Sequence, residues 1–115
     1  MKTIEEVQIL SASDEALLDT VKEVILKHLP MAKVVLYGSV ARGTQHEDSD
    51  YDLFVLTDRD LSMSEERAIG DDIYEIELER NVLFSTIFCS QDRWKTPVFH
   101  GSPLRKEIEE DGIIL

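Results

Sequence analysis

A chain of 115 residues with a 43% hydrophobic share is read as one globular domain, residues 1–115, with a modest core; this excludes a disordered chain and gives no sign of an added substrate domain. Its 12 basic and 24 acidic residues leave a net charge of −12, which excludes long DNA or RNA as a direct ligand, because such binding rests on Lys and Arg neutralising phosphates. One cysteine, Cys89, rules out an internal disulfide and fits a cytoplasmic setting, and no apolar run approaches the length of a membrane span.

The charged start, Met1 to Glu6, lacks the apolar stretch of a signal peptide. Residues 1–12 are weakly patterned, with Val7, Ile9 and Leu10 available for a small cap or an early helix. Ser13 is expected to cap a helix whose first turn holds Asp14 and Glu15. Leu17, Val21, Val24 or Ile25, and Leu29 recur at helical spacing until Pro30 stops the helix.

Val34 to Tyr37 reads as a buried strand, and Leu53 to Leu56 as its neighbour. Between them runs the stretch from Gly38 to Asp52, which carries the chemistry. Strand side chains alternate between faces, so Asp50 and Asp52 point the same way. Two carboxylates so placed repel unless a cation lies between them, and Mg²⁺ suits the role because it takes hard oxygen ligands and shares its shell with substrate phosphates. Gly38 lets backbone approach a ligand closely. Ser39 offers a hydroxyl and an N–H just before a short helix expected from Val40, and such donors suit phosphate. These residues together read as a nucleoside-triphosphate site. Arg42 is placed either on phosphate or in a pair with Asp48 or Asp50. Thr44 and Ser49 are expected to fix the loop, with Ser49 orienting Asp50.

Ser62 and Glu65 form a capping-box signal for a second long helix, with Ile69, Ile73 and Ile76 on one face. Tyr74 to Glu79 also alternates strictly, as a strand would; helix is chosen because the cap and the isoleucine stripe run into it. Val82 to Cys89 is the third expected strand. Residues 90–101 read as irregular or as one short turn. Ser102 caps a last helix with Pro103 in its first position, Gly112 ends it, and Ile113-Ile114-Leu115 is an apolar tail. His28, His46 and His100 have no metal-ligand spacing; His46 alone lies near the motif. Trp94 is a packing anchor or part of a partner surface.

The pattern Gly-Ser, ten residues, Asp-x-Asp, with Ala41-Arg42-Gly43 and Ser49 in place, resembles the minimal nucleotidyltransferases of the DNA polymerase beta superfamily. The resemblance covers about residues 33 to 56. It implies an α/β (α+β) fold, a small mixed sheet of three to four strands flanked by helices. It implies Asp50 and Asp52 as catalytic metal ligands, Gly38, Ser39 and Arg42 on the nucleotide, and Mg²⁺ with ATP as the substrate pair. The activity implied is transfer of NMP, as AMP, to a hydroxyl on a partner protein. Stand-alone domains of this kind accompany a HEPN-type ribonuclease toxin and act as its antitoxin.

One feature departs from the superfamily. A third Asp or Glu is expected on the strand beside the Asp-x-Asp strand, yet Val82 to Cys89 holds no acid. Ser85 or Thr86 stands near that position, and Glu77, Glu79 or Asp92 could supply the acid only with a different register. The alternative reading is therefore a binding module that silences its partner by masking it.

Overall fold

The computed structural model describes residues 1–46 and 50–115. A mixed five-stranded sheet is flanked by helices, in the strand order β1-β5-β2-β3-β4. This is the expected fold class, with more strands than the three or four expected. Three strands carry the sheet: β2 (Lys33–Tyr37), β3 (Tyr51–Thr57) and β4 (Phe84–Ser90). β2 runs antiparallel to β3, and β4 runs parallel to β3.

The extra strands come from the chain ends. Ile113 and Ile114 form β5, which pairs with β2, so the expected apolar tail is part of the sheet. Lys2 and Thr3 form β1 beside it, followed by a 3-10 turn at Ile4–Glu6. Two residues are too few to show alternation, which is why neither strand stood out. The chain does hold them firmly: Ile113 is buried, and the Leu115 N–H donates to the Val34 carbonyl at 3.0 Å.

The helix α1 (Ala12–His28) begins two residues earlier than expected. Its cap is Ser11, whose Oγ accepts from the Asp14 N–H at 3.0 Å, and not Ser13, which lies inside the first turn. Its end matches the expectation, with Leu29 and Pro30 following His28. The helix α3 (Met63–Arg80) starts at a complete capping box of Ser62 and Glu65. It runs unbroken through 74–79, because the burial of Ile69, Ile73 and Ile76 follows the helical period. Asn81, with φ 53°, closes it in the left-handed region.

α1 and α3 cover one sheet face, where Leu18, Val21 and Ile25 meet Leu36, Leu53, Val55 and Ile73. His28 Nε2 and Asp72 Oδ2, 2.6 Å apart, join the two helices at the rim. The other face carries a smaller cluster of Val35, Tyr37, Phe54, Cys89 and Ile108. Residues 90–101 hold two single-turn helices, α4 (Gln91–Trp94) and α5 (Pro97–His100), ahead of α6 (Pro103–Asp111). Trp94 is a packing anchor here: its ring lies 5.2 Å from Phe54 and 5.4 Å from Phe99, with the Arg105 guanidinium 4.3 Å over it. Among the described residues, no helix is long and apolar enough to cross a membrane.

Candidate functional site

The chain leaves β2 at Tyr37 and enters α2 (Gly38–Arg42) without an intervening loop. Gly38 makes that turn with φ 78°, where any side chain is strained. A Cβ there would also lie 2.2 Å from Asp52 Oδ2. Glycine is thus required twice, by the backbone angle and by the carboxylate packed against it. α2 ends at Gly43, again left-handed (φ 76°), whose absent Cβ makes room for Ile9.

Asp52 pairs across the sheet with Tyr37, and both lie on the α6 face. Asp50 lies just before β3 and is exposed, while Asp52 is half-buried. β3 is anchored on both sides of this point. The Tyr51 N–H donates to the Leu83 carbonyl at 2.9 Å, and the Tyr51 hydroxyl donates to Asp14 Oδ1 at 2.7 Å. Burial first, and then the Asp14 contact, push the Tyr51 phenol up to about 12.

Burial pushes the Asp52 carboxyl above its ordinary value; Glu107 and Asp50 push it further, against the pull of Arg42. Tyr37 rises to about 12 through burial, then the charges of Asp52 and Glu107. Asp52 thus carries a partly desolvated carboxylate that feels the negative charges of Glu107 and Asp50. Such a place favours a proton or a cation.

Among the described residues, Arg42 pairs with α6 and not with the expected Asp50. Its Nη1 lies 3.1 Å from Asp111 and 3.3 Å from Glu107, both on α6. Asp50 is not its ion-pair partner, and Asp48 and Ser49 lie outside the described residues. The two acids are four apart on one helix face, which brings both to the same guanidinium. One nitrogen, Nη1, donates to both carboxylates. Glu107 is the functional neighbour the sequence reading missed. Its available signal was an acid directly before the buried Ile108.

Register separates the two β4 positions expected near the third acid. Asp52 pairs with Ser85 and Leu53 with Thr86. Ser85 therefore shares the Asp52 face, while Thr86 shares the α1–α3 face. Glu77 is tied to the start of β4, its Oε2 accepting the Phe84 N–H at 2.8 Å. Asp92 follows β4, at the end of the sheet opposite to Asp52. Among the described residues, no group of three or more Asp, Glu, His or Cys is placed to hold a metal ion. Asp50 and Asp52 supply hard oxygens only, a set that fits Mg²⁺ completing its shell with water and phosphate oxygens.

A cavity of about 680 Å³ adjoins this end of the sheet. Asp50, Val40 and His46 border it on the motif side, and Tyr74, Glu77 and Leu78 on the α3 side.

Several solved structures share the fold, three of them as follows. One is a toxin–antitoxin complex with AMP-PNP, with TM-score 0.61 and 18% identity over 84% of this chain and 69% of that one. A mutant of the MntA–HpeT toxin–antitoxin pair gives TM-score 0.58 at 17% identity over 82% and 68%. A structure assigned as a minimal nucleotidyltransferase gives TM-score 0.57 at 23% identity over 96% and 98%. No match was found among curated proteins. A family model described as a nucleotidyltransferase domain matches residues 18–115, which include all of β2, α2 and β3. The chain belongs to the nucleotidyltransferase domain family.

Proposed function

We propose that this chain, as a single domain, binds ATP with Mg²⁺ and transfers AMP to a hydroxyl on a partner protein. The observation that carries the reading is the Asp52 carboxylate packed against a side-chain-free Gly38, at the start of a helix. In this reading the backbone N–H groups at that helix start and the two carboxylates share one triphosphate and its metal. Gly38 and Ser39 receive the phosphates, and a free arm of Arg42 reaches a phosphate oxygen. Asp50 and Asp52 hold the ion, which supplies charge neutralisation of the phosphates and of the leaving group. In the transfer, a bond forms between the acceptor oxygen and the α-phosphorus. The bond from that phosphorus to the bridging oxygen of the β-phosphate breaks, pyrophosphate leaves, and the acceptor's proton passes to solvent water.

The partner is proposed to be a HEPN-type toxin, with this chain as its antitoxin. Support comes from the superfamily resemblance and from the toxin–antitoxin complexes that share the fold. A net charge of −12 suits a basic partner surface. Incubation with α-labelled ATP, Mg²⁺ and the protein encoded beside this one tests the reading. Label should move onto the partner, and should stay off it when Asp50 and Asp52 are both changed to Asn.

A second reading has its own observation. Ser85, and not an acid, faces the Asp52 side of the sheet. If the superfamily's third carboxylate acts as general base, its loss slows transfer by roughly 10²–10⁴-fold. Under this reading the chain silences its partner by binding alone. Silencing that persists without nucleotide, with no label transferred, would establish it.

A further inference from the structure

β4 is an edge of the sheet, and among the described residues no strand pairs with its outer side. The Tyr51 N–H donates to the Leu83 carbonyl, and Tyr51 stands in register with Phe84. In a parallel pair the two backbone groups of a residue point the same way, and the direction alternates along the strand. Leu83, Ser85, Ile87 and Cys89 therefore bond β3, while Phe84, Thr86 and Phe88 point outward. Glu77 Oε2 accepts the Phe84 N–H at 2.8 Å, which leaves Thr86 and Phe88 as the open part of the edge. Proteins guard such edges with charge, proline, a bulge or shortness. β1, the opposite edge, is two residues long. β4 has seven residues, Phe-Ser-Thr-Ile-Phe-Cys-Ser, without a charge or a proline. α3 lies beside this edge. Ile69, Ile73 and Ile76 face the sheet and Asp72 faces α1 through His28, so Arg67, Gly70 and Tyr74 lie on the far side, where Glu77 reaches Phe84. Gly70 is exposed, and a Cβ on it would meet nothing within 4 Å. Glycine weakens a helix interior, yet nothing inside the chain requires one here.

We propose that a second copy of this chain pairs β4 to β4, antiparallel about a two-fold axis at Ile87, with the two α3 helices meeting at Gly70. In that register Thr86 exchanges both hydrogen bonds with the partner's Phe88, Phe88 does the same with the partner's Thr86, and Ile87 meets its own copy. Two separate features put the axis in one place. Seven helical residues and three strand residues each span roughly 10 Å. Glu77 stands level with Phe84, and α3 runs back against β4, so Gly70 stands level with Ile87. The middle of the open strand and the gap on the neighbouring helix thus share one level. A strand from an unlike protein would use the edge but has no need of the gap, whereas a two-fold copy of α3 comes close where each helix lacks a side chain. Charge agrees with this occupant. Two chains of net charge −12 repel each other, and β4 offers them an uncharged strand on which to meet. Across the axis Arg67 comes opposite the partner's Tyr74, a cation over an aromatic ring. The inference is independent of the nucleotide reading.

Analytical ultracentrifugation of the whole chain over a concentration series tests the proposal, with Gly70→Glu and Gly70→Lys as the variants. Both new side chains enter open space and favour helix over glycine, so the fold should hold, which thermal melts check. Wild type should dimerise as concentration rises. Each variant should raise the dimer dissociation constant by roughly tenfold or more, because like charges then face each other at the axis. Mixing the two variants should restore dimers, since opposite charges then meet there. Only an interface with position 70 on its own two-fold axis behaves in this way. Hydrogen exchange should find the Thr86 and Phe88 amides protected in the wild-type dimer and released in either variant alone. A wild type that stays monomeric at every concentration overturns the proposal. Amides at Thr86 and Phe88 that become protected only when the protein encoded beside this one is added would give the edge to a partner strand instead. Dimers that both variants leave unchanged overturn it as well, and place the contact elsewhere on the chain. No nucleotide enters these readouts, so their failure leaves the proposed function standing.

Discussion

A Cβ on Gly38 would stand 2.2 Å from Asp52 Oδ2, so the turn into α2 and the half-buried carboxylate of β3 lie against each other where a side chain would otherwise stand. Fifteen residues of motif thereby close on a single contact. Gly38→Val should displace Asp52 as well as strain a backbone held at φ 78°. It should abolish Mg-ATP binding and lower the melting temperature. Ser39→Ala changes no packing of this kind and should cost only about 1.5–3 kcal/mol of nucleotide affinity, one hydrogen bond to a charged group. Titration and thermal melting of the two variants check the order. A Ser39→Ala loss exceeding that of Gly38→Val at equal stability would refute the assignment of the phosphate loop.

Asp52 carries a carboxyl that burial, then Glu107, then Asp50 push upward. An acid whose pKa rises on folding favours the folded state only while protonated. Its contribution is present below the unfolded value and is lost as pH rises through the folded value. At neutral pH the ionised pair is therefore a liability in the metal-free protein. Replacing Asp50 and Asp52 together by Asn should raise the metal-free melting temperature at pH 7, with the gain shrinking in acid. The same variant should lose Mg²⁺-dependent ATP binding. Retained Mg-ATP affinity would remove these two residues from the site.

Arg42 makes its ion pairs with Glu107 and Asp111 while its side chain stays 42% exposed. Pairs of that kind contribute about 0–1 kcal/mol each. The two pairs together are worth about 0–2 kcal/mol, so Arg42→Ala should shift the melting temperature by roughly 0–8 °C for a domain of this size. Mg-tripolyphosphate affinity should fall further than stability does, because a charge-assisted phosphate contact is worth more than an exposed pair. A variant that melts much lower yet binds tripolyphosphate normally would make Arg42 a strut between α2 and α6.

Glu65 shows the opposite sign. The Arg59 guanidinium, and then the Ser62 N–H of the capping box, hold its carboxyl down at about 2. Its stabilisation of α3 is complete above the unfolded carboxyl value and disappears as pH falls from about 4.5 towards 2. Wild type should therefore lose melting temperature across that window more steeply than Glu65→Gln. Parallel acid curves would show that Arg59 and the cap leave the stability of α3 unchanged.

Long periodic stretches were legible in the sequence, and short or non-local features were not. α3 could be read through the ambiguous 74–79 stretch because a capping box set its start and three isoleucines kept the helical period. The pairing of β2 with β3 followed from two apolar runs joined by a polar loop. The start of α1 was misplaced because Ser11 and Ser13 are chemically equal as caps, and packing chose between them. β1 and β5 exist only through each other and β2, so no local pattern marks them. Arg42 meets Glu107 across 65 residues of chain, and a charge pair at that separation leaves no periodic trace.

Ser85 is where an added acid would meet the site. β4 pairs with β3 in parallel, and the register puts Ser85 beside Asp52 and Thr86 on the opposite face. Ser85 is exposed, so an Asp in its place loses little hydration and displaces nothing buried. Without metal, Ser85→Asp adds a negative charge beside Asp50, Asp52 and Glu107. It should lower the melting temperature and raise the Asp52 carboxyl further. With Mg²⁺ the sign reverses, because a third carboxylate strengthens attraction for the ion. The variant should bind Mg²⁺ more tightly than wild type and recover its lost stability as the ion is added. If transfer in wild type is limited by that missing ligand, labelling of the partner should rise in the same variant. Thr86→Asp is the control: its side chain would enter the α1–α3 face and destabilise the fold with no gain in metal affinity. Equal Mg²⁺ affinity in Ser85→Asp and wild type, with both folded, would mean that the ion does not sit between β3 and β4. The binding-module reading would then gain over the enzyme.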